Sequence, residues 1–168
     1  RVSVRHGSFT LTRRYDATPA RVFAAWAIPE QRSRWNVHGS WTVTEQTFDF
    51  REGGEEVKRF GPAGSDPVHV ARTRYADIVP DRRIVMSSTT RDREVLTSVT
   101  LLTVQIGPDG SGSQLVLTYQ AVMLDEGDRI ENREEGWASI LAKLGEALID
   151  SPPPSSGEVS ASSRTEGS

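Results

Sequence analysis

The chain has 168 residues, 36% of them hydrophobic, which is the length of one ordinary domain and apolar enough for a core. Its net charge of −3, with both signs interspersed, excludes the clustered basic face that nucleic-acid binding requires. The absence of cysteine excludes disulfides and thiolate metal sites and fits a reducing, cytoplasmic setting.

The first element is a strand over Ser8 to Tyr15, where Phe9, Leu11 and Tyr15 stand among Thr and Arg. Thr18 then caps a helix whose first residue is Pro19, a position where a missing N–H costs nothing. Val22, Phe23 and Trp26 give that helix an apolar face. Pro29 ends it at Ile28, because the residue before proline avoids the α region. Glu30 to Trp35 supports a second short helix.

From Trp41 onward the pattern is β. Strands are expected over Trp41 to Phe50, Glu55 to Phe60, Val68 to Val79, Arg83 to Arg91, Leu96 to Ile106 and Gln114 to Val122. Gly53-Gly54, Gly61 to Gly64, Pro80-Asp81, Asp92 to Glu94 and Gly107 to Gly110 supply the turns. Six successive strands with short links imply an antiparallel meander, and the first strand adds to a sheet edge. Asp128 and Glu131 read as a capping box for a last helix. Its stripe of Ile130, Trp137, Leu141, Leu144 and Leu148 is continuous and about 30 Å long. The remaining stretch, 151–168, is rich in Pro, Ser and Gly and is expected to be a disordered tail, leaving residues 1–150 as the folded domain.

The fold class is therefore α+β: a curved, seven-stranded antiparallel sheet gripping a long C-terminal helix, with two short helices after the first strand. A single helix cannot fill such a cradle, so an internal cavity is expected. No apolar run approaches the ~20 residues that span a bilayer.

The segments FTLTRRYDATPARVFAAWAIPEQRSRW, FDFREGGEEVKRFG, RYADIVPDRRIV, TVQIGPDGSGSQLVLTYQ and REEGWASILAKL occur in this order over most of the chain. In them the sequence resembles the SRPBCC superfamily, with its helix-grip or START-like fold. The branch it resembles is that of bacterial proteins like the activator of the heat-shock-protein-90 ATPase, often called polyketide-cyclase-like. The resemblance implies a pocket for a small hydrophobic molecule between sheet and helix. The chain departs from the family pattern where Met86, Ser88 and Thr90 replace large aromatic residues, where Leu102 replaces a small one, and where Asp92-Arg93-Glu94 replaces a double-glycine tip.

Strand parity selects the residues that face the cavity. Met86, Ser88 and Thr90 share a face, as do Thr100 and Leu102, and Leu117 and Tyr119. His69 and Tyr75 share a parity and, with Tyr119, could orient a ligand carbonyl or act as acid and base. Trp137 starts the helix stripe that closes the cradle. Trp35, Phe48, Phe50 and Leu141 complete the candidate lining. Trp41 reads as packing. Asp49, Arg51, Glu55, Glu56 and Arg59 flank the double-glycine turn with no assigned direction, since Val57 and Phe60 demand opposite faces of one strand unless a bulge intervenes.

No nucleophile elbow, phosphate loop or HExxH motif is present. The two glycine-rich segments join strands, whereas a phosphate cradle needs a helix N-terminus. His6, His38 and His69 lack metal-site spacing, so neither metal nor cofactor is expected. The leading expectation is cofactor-independent binding of a small hydrophobic molecule, with no nucleic acid and no membrane as partner. A cyclase or dehydratase acting by acid–base chemistry in the same pocket is the second reading. A co-chaperone-like protein-interaction module is the third. Both a monomer and a homodimer stay open.

Overall fold

The computed structural model describes residues 4–36, 41–64 and 68–150. The expected tail, 151–168, and His38 lie outside the described residues. The elements run β1 (Arg5–Tyr15), α1 (Pro19–Ala27), α2 (Pro29–Arg32), β2 (Trp41–Phe48), β3 (Glu55–Pro62), β4 (His69–Val79), β5 (Arg83–Asp92), β6 (Val95–Asp109), β7 (Gly112–Met123) and α3 (Ile130–Asp150). All seven strands form one antiparallel sheet in the order β1-β7-β6-β5-β4-β3-β2. The first strand thus closes one edge beside β7 and leaves the rest as a meander.

Local chemistry explains the boundaries. Thr18 Oγ1 accepts the Arg21 N–H at 3.3 Å, and Pro19 occupies the first turn of α1. Ile28 is extended, donates its N–H to Ala24 O, and hands over to Pro29. β1 starts three residues before its expected position, because Arg5 and Gly7 pair with Met123 and Ala121. Gly7 is required there: a Cβ would stand 2.7 Å from Ile130 Cγ1 of α3. Pairing of β6 with β7 continues to Asp109 and Gly112, so the expected four-residue turn shrinks to a tip at Gly110, with φ of 60°. The Arg93-Glu94 tip has positive φ at both residues without a glycine.

One expectation fails, and the direction left open for the charged residues of β3 is resolved. Asp128 does not cap α3. The helix starts at Ile130, and the Asp128 carboxylate is instead held by Arg133. Nor does β3 bulge: its register with β4 runs unbroken from Glu55 to Phe60, so Glu56, Lys58 and Phe60 share one face and Val57 takes the other. The register shift lies in β2, between Val43 and Glu45.

The core lies between sheet and α3. Ile84, Val104, Leu117 and Leu11 make one cross-strand row, all buried, against Leu141, Leu144 and Leu148. Tyr15 OH donates to Leu141 O at 2.8 Å, and Arg21 donates to Leu148 O at 2.6 Å, so β1 and α1 both hold the helix in place. Among the described residues no helix is long and apolar enough to cross a membrane.

Candidate ligand pocket

The inner face of the sheet changes character along its length. Next to the apolar row comes Tyr75–Met86–Leu102–Tyr119–Phe9, then Glu56–Thr73–Ser88–Thr100–Ala121, then Lys58–Ala71–Thr90–Ser98–Met123. Apart from Met123, the side chains in the last two rows are short or polar, and α3 does not fill the space over them. A cavity of about 540 Å³ results, closed on the helix side by Gly136, Trp137 and Ile140.

His69, Met86, Ser88, Thr90, Thr100, Leu102, Tyr119 and Trp137 line this cavity. Trp35, Phe48, Phe50, Tyr75, Leu117 and Leu141 do not. Leu117 and Leu141 are wholly buried in the layer between sheet and helix. Trp35 packs edge-on against Trp26 and donates its indole N–H to Ala25 O at 3.1 Å. Phe48 and Phe50 pack against Tyr75, at ring distances of 6.2 and 4.9 Å. These four aromatics form the core beneath α1 and α2. Trp41 belongs to the lining: its ring stacks on His69 at 5.2 Å, with Phe60 5.6 Å from the same imidazole.

The hydroxyls of the roof are partly satisfied within the protein. Thr73 Oγ1 and Ser88 Oγ are 3.1 Å apart, Thr100 Oγ1 donates to Ser88 O at 3.5 Å, and Thr97 Oγ1 donates to Thr90 O at 3.0 Å.

Charged groups stand on two opposite walls. On the β3–α2 wall Arg32 lies 3.1 Å from Glu56 Oε1, which also accepts from Tyr75 OH at 2.7 Å, while Gln46 fills Oε2 at 2.9 Å. Arg32 further donates to Tyr75 OH and to Trp26 O. Its guanidinium lies 5.3 Å from the Trp26 ring centroid. Burial pushes the Glu56 carboxyl up, but Arg32, Lys58 and the two hydrogen bonds outweigh it and hold its pKa below the ordinary value. Burial raises the Tyr75 phenol. Burial also brings Lys58 down to about 8, against the opposing pull of Glu56.

On the β7–α3 wall Arg133 donates to Tyr119 OH at 2.6 Å, Ser98 Oγ at 3.0 Å and Asp128 Oδ2. Burial raises the Tyr119 phenol, and Arg133 opposes it. Among the described residues no group of His, Asp and Glu could hold a metal ion.

Sequence reasoning missed Arg32, Asn36, Lys58, Asp128 and Arg133, and left Glu56 undirected; all six line the cavity. The available signal was the alternation Glu56, Lys58, Phe60: fixing Phe60 as inward carries both charges inward with it.

The model of the family described as activator of Hsp90 ATPase homolog 1-like protein matches residues 16–148. A structure of an uncharacterised protein from Rhizobium leguminosarum is 32% identical, covers 90% of this chain and 99% of that one, and superimposes with a TM-score of 0.82. One from Rhizobium loti is 39% identical over 86% of this chain and 99% of that one, with a TM-score of 0.78. The structure described as the AHSA1 protein of Silicibacter pomeroyi, at 18% identity, covers 85% of this chain and 98% of that one with a TM-score of 0.72 and shares the fold. No curated protein matches the chain. The chain belongs to the activator-of-Hsp90-ATPase-homologue-1-like family, a branch of the SRPBCC superfamily with the helix-grip fold.

Proposed function

We propose that the chain binds one small, largely apolar molecule in this cavity without a cofactor. The observation that carries the reading is the cavity itself. Its volume of about 540 Å³ falls in the range of small-molecule sites, roughly 300–1,000 Å³. Its apolar walls, Met86, Leu102, Trp137 and Ile140, surround a roof of small side chains.

The acid–base reading needs groups that meet over one atom. Tyr75 OH is spent on Glu56 and Arg32. His69 and Tyr119 stand on β4 and β7, three strand spacings or about 14 Å apart across the sheet, and His69 lies six residues along β4 from Tyr75, which shares the row of Tyr119. That separation favours binding over catalysis. A protein-contact reading draws on the exposed Val99 and Leu101 of β6, which face away from the cavity.

The test is a fluorescence titration with N-phenyl-1-naphthylamine, a neutral apolar dye. The parent chain is expected to bind it, and Ser88→Trp is expected to abolish binding while changing stability by no more than about 1 kcal/mol. An indole in a close-packed face would instead be overpacking, at roughly 1–3 kcal/mol or more. Dye binding that survives Ser88→Trp, or unfolding of that variant, would refute the reading.

A further inference from the structure

We infer that the cavity selects a ligand carrying a single carboxylate on an apolar body, with the carboxylate seated between Lys58 and Asn36; this rests on the pocket reading above and adds the chemistry of the head group. Charge on the β3–α2 wall does not balance. Arg32 and Glu56 neutralise one another, and the Glu56 oxygens are filled by Arg32, Tyr75 and Gln46. Lys58 adds a second cation. Among the described residues its only hydrogen-bond acceptor is the backbone carbonyl of Asn36, at 3.1 Å; the Phe60 ring lies 5.3 Å away, and Glu56, which attracts it, is already matched by Arg32 and forms no close ion pair with it. An ammonium carries three donors, so Lys58 has donors to spare where it lines the cavity.

Asn36 supplies the second, independent sign. It is 4% exposed and lines the same cavity, and among the described residues its Nδ2 has no hydrogen-bond partner. Arg32 Nε is orphaned as well. A buried amide N–H without a partner forfeits its hydration, and native structures seldom leave one. The two orphaned atoms on this wall, Asn36 Nδ2 and Arg32 Nε, are both donors. A neutral carbonyl would satisfy one of them and leave the cation uncompensated; a carboxylate satisfies the donors and balances the charge. At pH 7 the ammonium is the majority form, since burial brings it to about 8 and no lower.

The opposite wall limits the ligand to one such group. Asp125 and Asp128 line it. The Arg133 guanidinium there is already committed to Asp128, Tyr119 and Ser98. Among the described residues that line that end, a carboxylate would meet Asp125 and the Asp128–Arg133 pair and no unspent cation, so the head points to Lys58 and the apolar body crosses Ala71, Ser88 and Leu102 towards Trp137.

Competition against bound N-phenyl-1-naphthylamine by decanoate, decan-1-ol and decanedioate tests this. Decanoate is expected to displace the dye at a concentration at least about tenfold below decan-1-ol, the equivalent of one charge-assisted hydrogen bond, and also below decanedioate. Lys58→Met is expected to bring decanoate and decan-1-ol within about twofold of one another, since a factor that small lies below any single charge-assisted contact. Asn36→Asp is expected to weaken decanoate relative to decan-1-ol. The melting temperature of Lys58→Met should stay close to the parent value, because the half-buried ammonium forms no close ion pair and Arg32 is the stronger partner of Glu56. Equal displacement by acid and alcohol in the parent chain, or an acid preference that persists in Lys58→Met, would overturn the head-group assignment and leave the pocket standing. Failure of the parent chain to bind the dye would remove the pocket and the head-group assignment together.

Discussion

Arg32→Met is expected to cost roughly 3–5 kcal/mol, the usual penalty for leaving a buried charge uncompensated, against a total domain stability of about 5–15 kcal/mol. Arg32 and Glu56 are both buried, at 4% and 2% exposure, among Trp26, Trp35 and Phe48. Without the guanidinium the carboxylate faces aromatic rings, with Lys58 as the remaining cation beside it among the described residues. The double variant Arg32→Met, Glu56→Met should recover most of the loss, because removing both charges removes the desolvation problem as well as the attraction. Urea unfolding of the three proteins checks this; equal losses in the single and double variants would show that packing of Arg32, and not its charge, is what matters. The pair also sets a pH dependence. The folded pKa of Glu56 lies below the ordinary 4.5, so its contribution is complete above 4.5 and is lost as pH falls through the folded value. Glu56→Gln should therefore flatten the acid limb of the stability curve.

Leu141→Asp is expected to unfold the domain. Leu141 is wholly buried where α3 crosses the sheet, and its carbonyl accepts the Tyr15 hydroxyl. An unpaired carboxylate there has neither water nor a cation, at a cost of several kcal/mol. Ala142→Asp puts the same charge one residue along on an exposed position of the same helix. Its cost should stay below about 1 kcal/mol, chiefly helix propensity. Loss of near-UV circular dichroism in the first variant and its retention in the second is the expected pattern. Equal behaviour of the two would mean that α3 presents a different face to the sheet.

The fold was legible because its signals are local. Alternation along Ile84, Met86, Ser88 and Thr90, glycine and proline at the turns, and the spacing of Trp137, Leu141, Leu144 and Leu148 each need only a few neighbouring residues. The charged wall was not legible for the opposite reason. Charges on a short strand ordinarily face water, and what turns Glu56 inward is Arg32, which α2 supplies from another part of the chain. Tyr75 has the parity of His69 but sits in the row beside the apolar core, where Phe48 and Phe50 cover it; parity gives the face and not the position along it. Asp128 shows a motif outcompeted. The Asp-x-x-Glu pattern fits a capping box, yet Arg133 offers the carboxylate a charged partner that a backbone N–H cannot match.

Binding of a small apolar molecule inside the grip of sheet and helix is the central claim, and a methyl-resolved NMR titration with N-phenyl-1-naphthylamine tests it most directly. The methyl resonances of Ala71, Met86 and Leu102, which line the cavity, are expected to shift and saturate together, while those of Val99 and Leu101 on the outer face of β6 stay in place. Shifts confined to Val99 and Leu101, with Ala71, Met86 and Leu102 unmoved, would contradict it and place the apolar contact on the outside of the sheet.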